Sequence, residues 1–591
     1  MSPGTPSPSS GEPPPEVLRD YALLADGERG ALIGSHGEIG WLCVPRWDSA
    51  AVFCTLLGGR GHYTVRPSGK HFVPGGFYED GSLIWRSRWM LGGGAIECRE
   101  ALVFPGDPHS AVLLRRIHAV DGDAAVTVVL EPRADFDREP MRSLRRDHGG
   151  WRARVGPLHL RWTGAEQARK RGSSLVAELA IPAGTTHDLV LELSDRPLSG
   201  APADPAAAWE ATAQQWSTAV PGLADVLGSR DARRAYAVQR GLTSTHGGMV
   251  AAATTSLPER ARAGRNYDYR YTWIRDQCFT AQAVAAIGAD GDPLLDNAAD
   301  FVAERLHADG PRLSPVYTVS GQRVPDERPI GNLPGYPGGA ARTGNRAVRG
   351  FQLDAFGEAL LMFAAAARRG RLDSRHWRAV DIAVDAIERR CDEPDAGIWE
   401  LDEEHWAHSR LSCVAGLRAM AATGPPHGRA GRWSALADTI LADAARDCVH
   451  PSGRWQRSAR DDRVDAALLL PAVRGALPAD DPRSVATLDA VRTELAEDGY
   501  VYRFRHDQRP LHAAEGAFLL CGFLTALACR QRGQEVEARG WFERSRAACG
   551  PPGLYAEEFD VVQHQLRGNL PQAFVHALFL EAGCRLSDPA A

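Results

Sequence analysis

"FQLDAFGEALLMFAAAARRG", Phe351 to Gly370, brings back an apolar residue every three or four positions. That is the period of a helix with one buried stripe. The same spacing returns in about twelve segments between residue 205 and the C-terminus, among them "DARRAYAVQRGLTST", "DQCFTAQAVAAIG", "HWRAVDIAVDAIERR" and "LPQAFVHALFLEAG". They share no short fixed repeat, which argues against the common solenoids. An even number of helices with uneven connections rich in Gly, Pro and aromatics fits a closed ring of helix hairpins. The irregular loops then gather at one mouth.

Upstream the period changes. Between about residues 20 and 200, short alternating or β-branched runs such as "SAVLLRRIHAV", "DAAVTVVLEPR" and "HDLVLELS" are broken by turn signals such as "PSGKH", "EDGS" and "VDGD". Many short strands at this spacing predict an antiparallel β-sandwich. Ahead of them, "MSPGTPSPSSGEPPPE" has neither a basic stretch nor an apolar one and reads as a disordered tail, not a signal peptide. The expected division is a tail over 1–17, a sandwich over 18–205, a linker over 206–230 and a helical domain over 231–591.

A chain of 591 residues needs more than one core, and 44% apolar with 24% charged residues is a soluble globular composition. The net charge of −6 argues against a nucleic-acid partner. No run of about 18 apolar residues offers a membrane span. The eleven cysteines include no C-x-x-C pair and no zinc-finger spacing, so they read as reduced thiols in a cytoplasmic protein with no metal and no cofactor.

The loops between helices carry the chemistry. "RNYDYRYTWIRDQ", Arg265 to Gln277, packs three tyrosines, a tryptophan, three arginines and two aspartates together. Such a mixture suits a small carbohydrate, with hydroxyls at its edges and C–H groups on its faces. "IGNLPGYPGGAARTGNRAV" (Ile330 to Val348), "EPDAGIWELDEEHW" (Glu393 to Trp406) and "GLYAEEFD" (Gly553 to Asp560) are long or irregular enough to line a site. Glycoside hydrolysis needs one protonated and one ionised carboxyl group in environments that separate their pKa values. Glu400, after Trp399, offers a carboxyl that packing on an indole would suit to the acid role. Glu557, Glu558 and Asp560 offer a carboxylate that could hold a water. Each motif alone is commonly structural: a half-buried aromatic beside a surface charge, or a carboxylate at a helix start.

Taken in order, these motifs resemble the bacterial form of glycoside hydrolase family 15, which holds glucoamylases, glucodextranases and trehalases. The resemblance runs from "YALLADGERGALIGSHGEIGWLCVPRWDSAAVF" through "SLPERARAGRNYDYRYTWIRDQCFT", "FQLDAFGEALL", "DAGIWE" and "EGAFLLCGF" to "LYAEEFD" and "GNLPQAFVHALF". It implies an N-terminal antiparallel β-sandwich followed by an all-α (α/α)6 barrel. It implies an inverting, exo-acting α-glucoside hydrolase that releases β-glucose, with Glu400 as general acid and Glu557 as general base. Arg275 and Asp276 would hold the hydroxyls of the non-reducing-end glucose, and Tyr269 would face the ring where positive charge develops. Trp273 and Trp399 would shape the pocket, Arg342 and Asn345 would line its mouth, and Glu515 would open an inner helix and bind sugar or stand in as base. The wording departs from the commoner family form at Tyr267, Thr272 and Gln277, positions that bear on substrate preference more than on reaction type. An α,α-trehalase is the nearest alternative. A hydrolase of some specialised glucoside and a non-catalytic sugar-binding protein are further ones.

Overall fold

The structure is a computed structural model describing residues 17–260, 265–288, 291–425 and 428–588. All of the expected tail except Val17 lies outside the described residues. Residues 22–194 form two antiparallel sheets. The first runs in the order Ala22–Ala25, Gly30–Ile33, Glu38–Cys43, His62–Pro67, Ala124–Glu131, Ser174–Ile181, Arg169–Arg171, with Ala51–Phe53 paired to Glu38–Cys43. The second runs Glu139–Asp147, Gly150–Val155, Leu158–Thr163, Thr186–Ser194, Ser110–Asp121, Gly94–Leu102, Trp85–Leu91, Val73–Tyr78.

Alternation along the strands sends one apolar row inward, and the two inner faces meet. Trp162 of the second sheet stands edge-on to Tyr63 of the first and donates to its hydroxyl at 3.1 Å. Arg115, fully buried with Glu100, reaches across to the carbonyls of Tyr63 and Gly37. This is the expected sandwich.

The stretch expected as a linker contains a helix, Pro205–Ala219, capped by the Asp204 side chain. It lays Trp209, Thr212 and Trp216 on the sandwich, with Trp216 stacked on Phe104 at 4.0 Å.

Among the described residues, six inner helices form the ring: Ile274–Ile287, Asp354–Arg368, Ala407–Ala421, the 3-10 turn Ala466–Leu469 continued by Leu470–Val473, Leu519–Gln531 and Ala573–Ser587. Each packs on the next, and the last closes on the first. Six outer helices, Ser229–Leu242, Asp292–Asp309, Ser374–Arg390, Arg429–Asp447, Pro482–Glu494 and Glu535–Arg546, back them. The (α/α)6 barrel explains two kinds of helical pattern. Asp354–Arg368 is buried on nearly every face, whereas Ser374–Arg390 buries His376, Ala379, Val380, Ala383, Val384, Ala386 and Ile387 on one stripe and leaves its arginines outside. No helix among the described residues is long and apolar enough to cross a membrane.

Candidate active site

Residues 267–271 lie alongside residues 251–256, held by backbone hydrogen bonds. Burial alternates over 265–270: Asn266, Asp268 and Arg270 are buried, while Arg265, Tyr267 and Tyr269 are half-buried. The mixture of rings and charges is thereby sorted to two sides. Asp268 and Arg270 form a fully buried bidentate pair, and Arg270 reaches back to the carbonyls of Trp47 and Ser49 at the edge of the sandwich. The side holding Tyr267 and Tyr269 faces a cavity of about 220 Å³ at one mouth of the barrel. The long connections supply its walls. Tyr269, Trp273, Arg275, Asp276, Asn345, Trp399, Glu400 and Glu557, all named from sequence, line it together.

The two candidate carboxyl groups are held by opposite ends of one aromatic pair. The Tyr269 hydroxyl donates to Glu557 Oε1 at 2.9 Å, and Trp273 Nε1 donates to Glu400 Oε1 at 2.5 Å. The two rings meet edge to face at 5.5 Å. One five-residue stretch therefore fixes both carboxyls.

Glu400 ends the tight turn 397–400, with its own φ at 54° and Gly397 at φ 66°. A Cβ on Gly397 would lie 2.7 Å from the Trp406 ring, so only glycine fits there. Asp395 holds this turn from below, accepting from the backbone of Leu353 and Gly397 and from Ser409 Oγ. Burial and the nearby Asp354 push Asp395 up to about 8. Gln352 adds a second bond to Glu400 Oε1 at 3.2 Å, and Arg275 stands at 3.9 Å. The contact expected from sequence, Glu400 on its neighbour Trp399, is not the one made. The Trp399 indole is drawn to Asp465, which it meets at 2.9 and 3.1 Å, so Trp273 supplies the indole at Glu400.

Glu557 lies in a crowd. It is 4% exposed, and its Oε2 has no protein partner. Burial and the charge of Glu259 push it up to about 8, against the pull of Arg503, the Tyr269 hydroxyl and Arg265. Gly568, at φ 80°, passes so close that a Cβ there would sit 2.9 Å from that of Glu557. Arg503 is the hub beside it, at 2.5 Å from Glu515, 3.1 Å from Glu558 and 3.4 Å from Glu259. The "AEE" residues are not at a helix start: Glu558–Asp560 is a strand, and Glu558 closes a ladder with Phe518.

At the deep side, Asp276 and Arg275 open the helix Ile274–Ile287. Arg275 Nη1 donates to Gln352 at 3.1 Å, and its Nη2 stands 3.5 Å from Asp276 Oδ2. Arg275 Nε and Asp276 Oδ2 are buried without a hydrogen-bond partner in the protein. Burial lifts Asp276 to about 6 against the charge of Arg275. Unpartnered polar atoms of both signs, beside Trp273, Trp399, Phe518 and Phe574, suit hydroxyl groups on a ring with apolar faces.

Two residues named from sequence are elsewhere. Arg342 pairs with Glu327 at 2.8 Å outside the cavity lining, because Arg342–Thr343 and Arg328–Pro329 form a small two-stranded ladder that sets the two side chains together. Glu515 does not open an inner helix; it follows the four-residue helix Leu511–Ala514. Although burial opposes it, Arg503 and His506 hold Glu515 down to about 2 and occupy its oxygens, leaving it behind the wall. Asn345 lines the cavity but also caps the turn Arg346–Arg349 through its Oδ1. Sequence reasoning passed over Glu259, Arg346 and Arg503. Arg503 had a signal, since "YVYRFRHD" alternates rings and arginines as "RNYDYRY" does. Among the described residues no cluster of His, Cys, Asp and Glu is arranged to hold a metal ion.

Both parts of the chain resemble known proteins. The model of glycosyl hydrolases family 15 matches residues 233–584, and a trehalase-like N-terminal model matches residues 9–216. A trehalase of Mycolicibacterium smegmatis is 31% identical over 96% of this chain and 90% of its own. An isomaltose glucohydrolase of Kribbella flavida is 30% identical over 40% of this chain and 62% of its own. In fold, a bacterial glucoamylase crystallised with acarbose superposes with a TM-score of 0.68 over 100% of this chain and 97% of its own, at 14% identity.

Proposed function

The chain belongs to glycosyl hydrolases family 15, and from that premise we propose that it hydrolyses an α-glucoside with inversion, α,α-trehalose being the substrate. It is a glycosidase, and its substrate is a carbohydrate. The observation that carries the mechanism is the pair of carboxyls fixed at the two ends of Tyr269 and Trp273, one of them with a free oxygen. Glu400 gives its proton to the glycosidic oxygen as the bond from that oxygen to the anomeric carbon breaks. Glu557, through Oε2, takes a proton from the water that attacks the same carbon from the opposite face. Tyr269 lies where the ring gathers positive charge. Asp276 and Arg275 receive the glucose hydroxyls, and the rings of Trp273, Trp399, Phe518 and Phe574 bound its faces.

Trehalose is favoured over the α-glucans because similarity to proteins named trehalase runs the length of the chain. A second reading, an exo-acting hydrolase of short α-gluco-oligosaccharides, draws on the shorter likeness to an isomaltose glucohydrolase. Eleven unbridged cysteines support a cytoplasmic setting. The test is glucose release from trehalose, maltose and isomaltose, each with and without phosphate and magnesium. Turnover of trehalose at least about tenfold above the others in kcat/KM supports the first reading. Preference for an α-1,4 or α-1,6 linkage replaces it with the second.

A further inference from the structure

Three adjacent strands of the second sheet, Glu139–Asp147, Gly150–Val155 and Leu158–Thr163, set cations opposite cations. Arg142 lies in register with Arg154, and Arg154 with His159. One step along the same face, Arg145 lies opposite Arg152, and Arg152 opposite Arg161. A bulge between Arg142 and Arg145, with Ser143 at φ 53°, keeps both on this face. The other face carries the buried Ala153, Val155, Leu158, Leu160 and Trp162.

Like charges directly opposite one another destabilise a ladder. Two acids offset part of this: Glu192 takes Arg161 at 2.5 and 2.6 Å, and Asp147 takes Arg152 at 2.7 Å. Arg142, Arg145 and Arg154 have no carboxylate within ion-pair distance among the described residues, although Arg145 adds its charge to that of Arg152 on Asp147. Arg154 donates instead to Nε2 of His159. Burial and the charge of Arg154 hold His159 below the usual histidine value. The segment 197–201 crosses above, tied down by Arg152 to the Leu198 carbonyl at 2.9 Å and by Arg161 to the carbonyls of Gly200 and Ala201 at 2.6 and 2.9 Å. A cleft of about 450 Å³, lined by Ser143, Arg145, Arg152, Arg154, His159 and Ser199, lies along this face. In a chain of net charge −6 this is a local reversal of sign.

We propose that the cleft binds a doubly charged tetrahedral anion, a phosphate either free or carried as a monoester on a small metabolite. Guanidinium forks and hydroxyls match phosphate oxygens, and an anion among them offsets the opposed cations. The cleft shares no lining residue with the cavity at the barrel mouth. Its volume leaves room for the substituent of an ester.

Calorimetric titration of the full chain with inorganic phosphate and with glucose 6-phosphate, against sodium chloride at equal ionic strength, tests the site. One saturable site per chain is expected for at least one of the two, and the tighter of them identifies the source. The double variant Arg145→Gln/Arg154→Gln should weaken binding at least about tenfold while leaving glycosidase activity in phosphate-free buffer unchanged. Arg154→Lys, which keeps the charge but loses the fork, should fall between the parent and the double variant. In phosphate-free buffer the double variant should melt above the parent, because opposed cations are gone. Phosphate should raise the melting temperature of the parent alone. No binding beyond chloride, binding untouched by the double variant, or a double variant that melts below the parent in phosphate-free buffer would overturn the proposal.

Discussion

The Glu400 side and the Glu557 side of the cavity present the same functional group in opposite settings. Glu400 sits on a left-handed turn, its side chain about one-third exposed at 31%, with two neutral donors, Trp273 and Gln352, on a single oxygen. Glu557 is buried beside Glu259 and Glu558, with Arg503 and Arg265 as the compensating charges. A carboxyl near solvent can be reprotonated between turnovers. One walled in by other carboxylates holds a proton strongly once it has taken it from water. Burial that raises Glu557 works against the ionised form a base needs. The proposed roles therefore rest on the family resemblance and on the unpartnered Oε2, not on the order of the two pKa values.

The comparison breaks most directly at the two carboxyls themselves. Glu400→Gln and Glu557→Gln should each lower kcat by about 10²–10⁴-fold in a steady-state assay, with the fold retained by circular dichroism. A smaller loss at either position would remove that residue from its role. Asp276→Asn takes one charge-assisted contact from the glucose hydroxyls, and kcat/KM should fall by about 10- to 150-fold, from roughly 1.5–3 kcal/mol. Trp273→Phe and Tyr269→Phe each remove one donor, to Glu400 and Glu557 respectively. About 1 kcal/mol, or roughly fivefold in kcat, is expected for the first. The second should cost more, because Tyr269 also meets the developing charge; equal losses would deny it that role.

The subtlest test is the pH profile. Glu557 must be ionised to act, so kcat/KM should fall as pH drops through its raised value near 8. Glu259→Gln removes a neighbouring negative charge and should move that limb to lower pH. Stability follows the same linkage: a carboxyl raised from 4.5 to about 8 weakens the fold progressively as pH rises through that window. Thermal unfolding across it should show Glu259→Gln flattening the loss.

Periodicity alone made much of the architecture legible. All twelve segments with helical spacing became barrel helices. The helix Pro205–Ala219 escaped because "PAAAWEATAQQWSTA" marks its buried face mainly by two tryptophans seven residues apart, too sparse a stripe to stand out from a linker. At the site, residues adjacent in one motif were found together, since "RNYDYRYTWIRDQ" delivers both Tyr269 and Asp276. Arg503 and Glu259 were missed because their partners are remote in the chain; Arg503 gathers carboxylates from positions 259, 515 and 558. Trp399 was assigned the wrong carboxylate for the same reason, its partner Asp465 lying 66 residues away.

The central claim is a single displacement between Glu400 and Glu557, and proton NMR of the first turnovers tests it most directly. With trehalose, inversion at the attacked carbon gives one β-glucose, while the leaving glucose keeps its own bond and appears as α-glucose. Equal initial amounts of the two anomers, absent in Glu400→Gln and Glu557→Gln, is the result expected. Release of α-glucose alone before mutarotation, or a trapped glycosyl-enzyme, would contradict it.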